Sequence, residues 1–237
     1  MRLLKVFIKN MPRFKENIDI DFITKQRVAE NDKEKLFNVF SNNYTEIYTN
    51  QAISFIGLNA SGKTTILKAI SFVINLLNNE ALNNIKSKEI LNDLSVSEKV
   101  TITSFFYNDN SVYKLETVIA KKINPVDNEE KLIITEERLW EKDANKVKTK
   151  KSLFDFKDSD MRIERNEKEQ FLLNDVSVMI AINKEKQSNF PLRDMLMWTN
   201  HNMLNILGKF PKELLTFLDP SIEYFKCSVE KNQQIFV

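Results

Sequence analysis

One run constrains this chain more than any other: Gly57-Leu58-Asn59-Ala60-Ser61-Gly62-Lys63-Thr64. It fits G-x-x-x-x-G-K-[ST], the pattern of a phosphate-binding loop. The chain has only 3 glycines, and Gly57 and Gly62 are two of them, so chance spacing is a poor explanation. The flanks agree with the motif. Ala52-Ile53-Ser54-Phe55-Ile56 reads as a short buried strand. After the motif, Ile66, Ile70, Val73, Ile74 and Leu77 recur at helical spacing. Strand, loop and helix in that order is the context the motif needs.

The chemistry follows from that geometry. Glycines let a backbone curl around phosphate with no Cβ in the way. Loop N–H groups and the positive end of the following helix converge on an anion. The expected cradle is Gly57, Leu58, Asn59, Ala60, Ser61, Gly62, Lys63, Thr64 and Thr65. Lys63 is expected to neutralise the β- and γ-phosphates, and it is the residue expected to act in catalysis. Thr64 is expected to offer its hydroxyl to Mg²⁺. The cofactors implied are ATP and Mg²⁺. The rival, an ordinary turn entering a core helix, leaves Lys63 and Thr64 without a reason.

At 237 residues the chain is one or two domains with room for a core. A net charge of +2 neither demands nor excludes a nucleic-acid partner. The single cysteine, Cys227, excludes an internal disulfide framework and suits a cytoplasmic protein. No segment approaches the ~20 apolar residues of a membrane span. The opening residues, interrupted by Lys5 and Lys9, do not make a signal peptide.

The fold class expected is α/β: a mixed sheet around the phosphate loop, an antiparallel β-subdomain and a helical segment. Residues 2–9 and 17–23 read as strands joined by a turn at Met11-Pro12-Arg13. Residues 24–50 read as polar and irregular, with a short helix near Leu36–Phe40. A helical piece over 80–92 reads as a lid. Residues 98–107, 111–122 and 131–142 read as three antiparallel strands, with Asn108-Asp109-Asn110 turning between the first two. The charge-dense stretch 143–170 reads as exposed. Residues 171–184 and 190–218 read as helical, and 222–230 and 233–237 as strands. This gives an ATP-binding core over 1–97, a β-subdomain over 98–145, an exposed charged insert over 146–170, and a helical segment with a returning strand over 171–237.

The opening "IKN…RF…IDIDF", followed by "AISFIGLNASGKTTILKAISFV", resembles the N-terminal lobe of ABC-type ATPases of the RecF, OLD and SMC group. Asn59, Ser61, Gly62, Lys63 and Thr64 match that group's loop, and Leu67, Ala69 and Ile70 match the helix after it. Ala60 departs, standing where the group has Gly; that position tolerates a Cβ if its φ is negative. The match covers residues 1–77 and is similar in feel to OLD-like bacterial proteins tied to phage resistance. It implies ATP hydrolysis in a head-to-head dimer, and a nucleic-acid or anti-phage role. It also makes Arg13 of the opening hairpin, with Lys15 second, the candidate nucleotide contact; a surface arginine is the plainer alternative.

Such an ATPase also needs an L-S-x-G signature loop and a Walker B aspartate beside an acidic residue. After Gly62 the only glycine is Gly208, so no signature loop is present. Leu214-Leu215-Thr216-Phe217-Leu218-Asp219-Pro220 imitates the aspartate motif, but proline follows Asp219. The chain therefore reads as the N-terminal lobe of a longer ATPase, completed by a C-terminal lobe or a second subunit, with an unpartnered edge near 222–237. Gln170 and Gln187 are candidates to sense the γ-phosphate.

Other readings are open. Asn183-Lys184-Glu185-Lys186 resembles the guanine-reading motif of GTPases, but Lys186 stands where an aspartate is required. A P-loop kinase would use Arg138, Arg162, Arg165 and Arg193 as its arginines. His201 lacks metal-ligand spacing. Lys146, Lys148, Lys150 and Lys151 form a basic run that suits a nucleic-acid backbone or a solvated face. The second functional class is a non-catalytic module in which nucleotide binding gates assembly.

Overall fold

Residues 1–56, 62–123, 129–166 and 172–185 are described in the computed structural model, 184 and 185 by their backbone alone, with the backbone of 228–229 and 235–236. Alternating apolar residues set the pattern of the main sheet. Strands Arg2–Lys9 (β1) and Ile18–Asp21 (β2) pair antiparallel, with Ile18 and Ile20 buried. At a β-bulge in β1, Leu3 faces Phe106 and Lys5 faces Phe105, which leaves Leu4 as the extra residue. A bulge reverses the inward parity. Leu4 therefore packs on the face opposite Val6 and Ile8. One short strand thus feeds two hydrophobic clusters.

Two further strands come next, Leu36–Ser41 (β3) and Glu46–Asn50 (β4), followed by the helix Lys63–Leu77 (α1). The long strands are Lys99–Asn108 (β5), Ser111–Ile123 (β6) and Glu130–Asp143 (β7), and Met161–Arg165 (β8) follows. The main sheet runs β2-β1-β5-β6-β7-β8, and every pairing in it is antiparallel. Asp109 (φ 46°) and Asn110 (φ 60°) make the tight turn between β5 and β6. Asp and Asn tolerate the two left-handed positions such hairpins require.

This corrects the expected mixed sheet. Strands from residues 1–97 and from 98–145 share one antiparallel sheet, so the long hairpin does not form a separate layer. The segment Leu36–Phe40 is strand β3, paired with β4 and preceded by a short 3-10 turn at Glu30–Lys35. Its aromatic and β-branched residues suit a half-buried hairpin better than a helix.

One face of the sheet carries α1. Ala69, Ile70, Phe72, Val73, Leu76 and Leu77 are buried there, while Ile66 and Ile74 are partly buried. The stretch expected to be a lid forms two 3-10 turns, Leu82–Asn84 and Lys86–Leu91, with Leu82, Ile85 and Leu91 in the same cluster. Lys68 of α1 pairs with Glu89 at 2.5 Å. Burial of Leu82, Ile85 and Leu91 makes this stretch part of the core.

The other face is covered by the β3–β4 hairpin and the loop after β7. Val147 and Leu153 are buried against Leu4, Phe40, Ile47 and Phe105, and the Phe154 ring meets Phe105 edge-on at 4.9 Å. Asn42 donates to the carbonyls of Ala144 and Val147, both at 2.8 Å. The expected exposed insert is thus partly core: a few apolar residues anchor it among many charges, and β8 extends the sheet.

Residues 52–56 are not the buried strand that was expected. They have no strand conformation; Ile53 is 40% exposed and Ile56 is 94% exposed. The strand next to β3 is supplied by Glu46–Asn50 instead. Helix in 171–184 begins only at Met179, as Met179–Glu185 (α2). Beyond residue 192 the chain forms a second unit. There, Ser228–Val229 (β9) and Ile235–Phe236 (β10) pair antiparallel. The helix expected at 190–218 lies outside the described residues, as do Gln170, Gln187, Arg193, His201, Gly208, Asp219 and Cys227.

Candidate functional site

Gly57, Leu58, Asn59, Ala60 and Ser61 lie outside the described residues. The end of the motif is described. Gly62 adopts φ 84°, the left-handed region open to glycine, and stands as the N-cap of α1. A Cβ added there would sit 2.9 Å from Cζ of Phe14 and 3.2 Å from Cε1. Glycine is therefore favoured by the backbone conformation, and a side chain there would have to push the Phe14 ring aside.

The helix ladder includes the Ile66 N–H donating to the Gly62 carbonyl at 2.9 Å. The start of α1 has no side-chain cap and no acidic residue in its first turn. Amides at a helix start have no acceptor within the helix. Such an end attracts anions through its amides and dipole. Lys63 and Thr65 are half-buried there, and Thr64 is exposed. These residues fit a phosphate: a left-handed glycine, a lysine, an exposed threonine and no acidic residue in the helix's own first turn.

The opening hairpin reaches this end of α1 through Phe14. Arg13, its neighbour, has φ 68°. A left-handed conformation costs a non-glycine residue about 1 kcal/mol. It is held by the Phe14 N–H donating to Met11 O at 3.1 Å and by Phe14 packing into the core. The Arg13 side chain is 78% exposed and pairs with Asp93. The structure thus brings the hairpin turn and the motif together, while the Arg13 charge is directed at a carboxylate. Lys15 is exposed.

Phe14, Asp93 and Glu137 escaped the reading of the sequence. Glu137 is wholly buried on β7. Its Oε1 accepts from the hydroxyls of Thr117 and Ser177, both at 2.8 Å, and its Oε2 from the Val178 N–H at 2.7 Å. Burial pushes this carboxyl above its ordinary range, against those donors and the charge of Arg165. Its signal was parity, since Glu137 is in phase with Leu139 on the inward side of β7.

The basic run divides. Lys150 donates to the carbonyls of Thr24 (2.7 Å) and Gln26 (2.5 Å), so it braces a loop. Lys146, Lys148 and Lys151 are exposed. A cleft of about 570 Å³ lies beside Lys150, lined by Arg27, Lys33, Tyr44, Glu46 and Tyr48 among others; no described residue of the motif lines it. Among the described residues no cluster of His, Cys, Asp or Glu is arranged to hold a metal, and no helix is long and apolar enough to cross a membrane.

No family model matches the chain, and no curated protein matches it.

Proposed function

We propose that this chain is the ATP-binding lobe of an ABC-type ATPase of the RecF/OLD/SMC-like group. The observation that carries the reading is the join of motif and helix. The Gly57–Thr64 pattern ends on a left-handed Gly62 that opens α1 with Lys63 and Thr64 in its first turn. In this reading the amides from Gly57 to Thr65 cradle the phosphates, Lys63 neutralises their charge, and the Thr64 hydroxyl joins the Mg²⁺ shell. ATP supplies the phosphoryl group; the chain's own residues bind and orient it.

The exposed apolar run before the motif supports completion by another element. Ile53 and Ile56 face solvent at the entrance to the phosphate loop. In this reading a further lobe or subunit covers them. Hydrolysis then depends on a signature loop and an acidic pair supplied by that lobe, in a head-to-head dimer. A nucleic-acid-linked or anti-phage role rests on the resemblance of residues 1–77.

The second reading, a non-catalytic module gated by nucleotide, is favoured by one observation. Asp93 is paired with the hairpin arginine, Glu137 is engaged by buried hydrogen bonds, and the first turn of α1 carries no acid. Titration with ATP, with and without Mg²⁺, tests the shared core of both readings. Mg²⁺ should tighten binding in the wild type, and Thr64→Ala should lose that dependence. Equal Mg²⁺ dependence in both proteins would remove Thr64 from the site.

A further inference from the structure

The stretch 172–185 is tied down along its length. Arg165 donates to the carbonyls of Leu173 (2.8 Å) and Val176 (2.5 Å). The Ile134 N–H donates to Asn174 O at 2.7 Å, and the Leu82 N–H to Asp175 O at 2.8 Å. Glu137 then takes the Ser177 hydroxyl and the Val178 N–H at the start of α2. A side chain from the sheet thereby does for α2 what a capping residue does locally.

α2 delivers a contact to the far end of α1. That end closes as a Schellman turn: Asn79 has φ 70°, its N–H donates to Leu76 O, and the Glu80 N–H donates to Asn75 O at 3.0 Å. Asn183 supplies the next partner, donating from Nδ2 to Leu77 O at 2.9 Å and to Asn79 Oδ1 at 2.8 Å. Met179 and Ile182 are buried in the same cluster as α1. One helix of 15 residues, ~22 Å long, therefore joins the phosphate-binding end to this contact.

We propose that residues 172–185 are a latch on α1, with Glu137 and Asn183 as its positioning residues, so that anion binding at the start of α1 and docking of the latch favour each other. The proposal rests on α1 being the phosphate-binding helix. Docking is cooperative because release of the latch strips the buried Glu137 carboxyl group of two of its hydrogen-bond donors while Thr117 remains. Coupling between two equilibria that share one element is reciprocal.

The test combines amide hydrogen exchange with calorimetric titration of Mg-ATP on the full chain, as wild type, Asn183→Ala and Glu137→Gln. Asn183→Ala removes the tie to α1 and leaves the core intact; Glu137→Gln keeps the side chain's shape. Mg-ATP should slow exchange of the amides of residues 178–183 about tenfold in the wild type. Asn183→Ala should abolish the slowing and weaken Mg-ATP about fivefold or more. Glu137→Gln should do the same through a loosened α2. Slowing and affinity unchanged in both variants would overturn the latch while leaving the phosphate site standing. No Mg-ATP binding by the wild type would overturn the phosphate reading itself, and the coupling with it.

Discussion

The Phe14 ring fills the space that a side chain on Gly62 would need, since a Cβ there would lie 2.9 Å from Cζ. The contact joins the opening hairpin to the start of α1 across residues distant in sequence.

Gly62→Ala is accordingly expected to destabilise the protein by about 2–4 kcal/mol. The left-handed backbone contributes about 1 kcal/mol and the clash ~1–3 kcal/mol. Phe14→Ala in the Gly62→Ala background should add less destabilisation than it does alone, because removing the ring also relieves the clash that the new Cβ creates. Urea unfolding of the two single variants and the double variant measures this coupling. Strict additivity, or a Gly62→Ala protein as stable as wild type, would show that the ring and the glycine do not compete for space.

Leu153 lies in a charge-dense stretch yet is fully buried. Leu153→Ala should cost about 2–5 kcal/mol, whereas a residue in an exposed insert would change stability by about 0.5 kcal/mol or less. The shift in denaturation midpoint separates the two cases.

These examples show what the residues made legible. The strands near 99–108, 111–123 and 130–143 carried a strong alternating pattern, and the Asp109-Asn110 turn announced itself by residue type. α1 was legible from its period. The bulge at Leu4 was not, because the reversal of faces depends on pairing with β5. Val147 and Leu153 were masked by the lysines around them. The Ala52–Ile56 run has the composition of a buried strand, but composition does not supply a neighbour for it to pair with. At the site, the motif named Gly62, Lys63 and Thr64, while Phe14 and the Asp93 partner of Arg13 depend on long-range packing that no local pattern records.

Glu137 sets a pH dependence of definite sign. Burial raises its carboxyl in the folded state, so the folded protein holds this proton more tightly than the unfolded chain. Its contribution is whole below the unfolded-state pKa of about 4.3 and is lost as pH rises through the folded value. The stability advantage of wild type over Glu137→Gln should therefore shrink as pH rises above the unfolded-state value. Urea midpoints at a series of pH values check this. An advantage that grows with pH would mean that the Thr117, Ser177 and Val178 donors outweigh burial.

The most direct measurement is calorimetric titration of Mg-ATP into the wild type and into Lys63→Ala. Lys63 is half-buried at the first turn of α1. Loss of a charge-assisted contact with phosphate is expected to weaken binding at least about tenfold, with little change in the unfolding midpoint. Binding by the wild type and its loss in Lys63→Ala is the predicted result. Equal affinity in the two proteins, or no binding by either, would contradict a phosphate site at the start of α1.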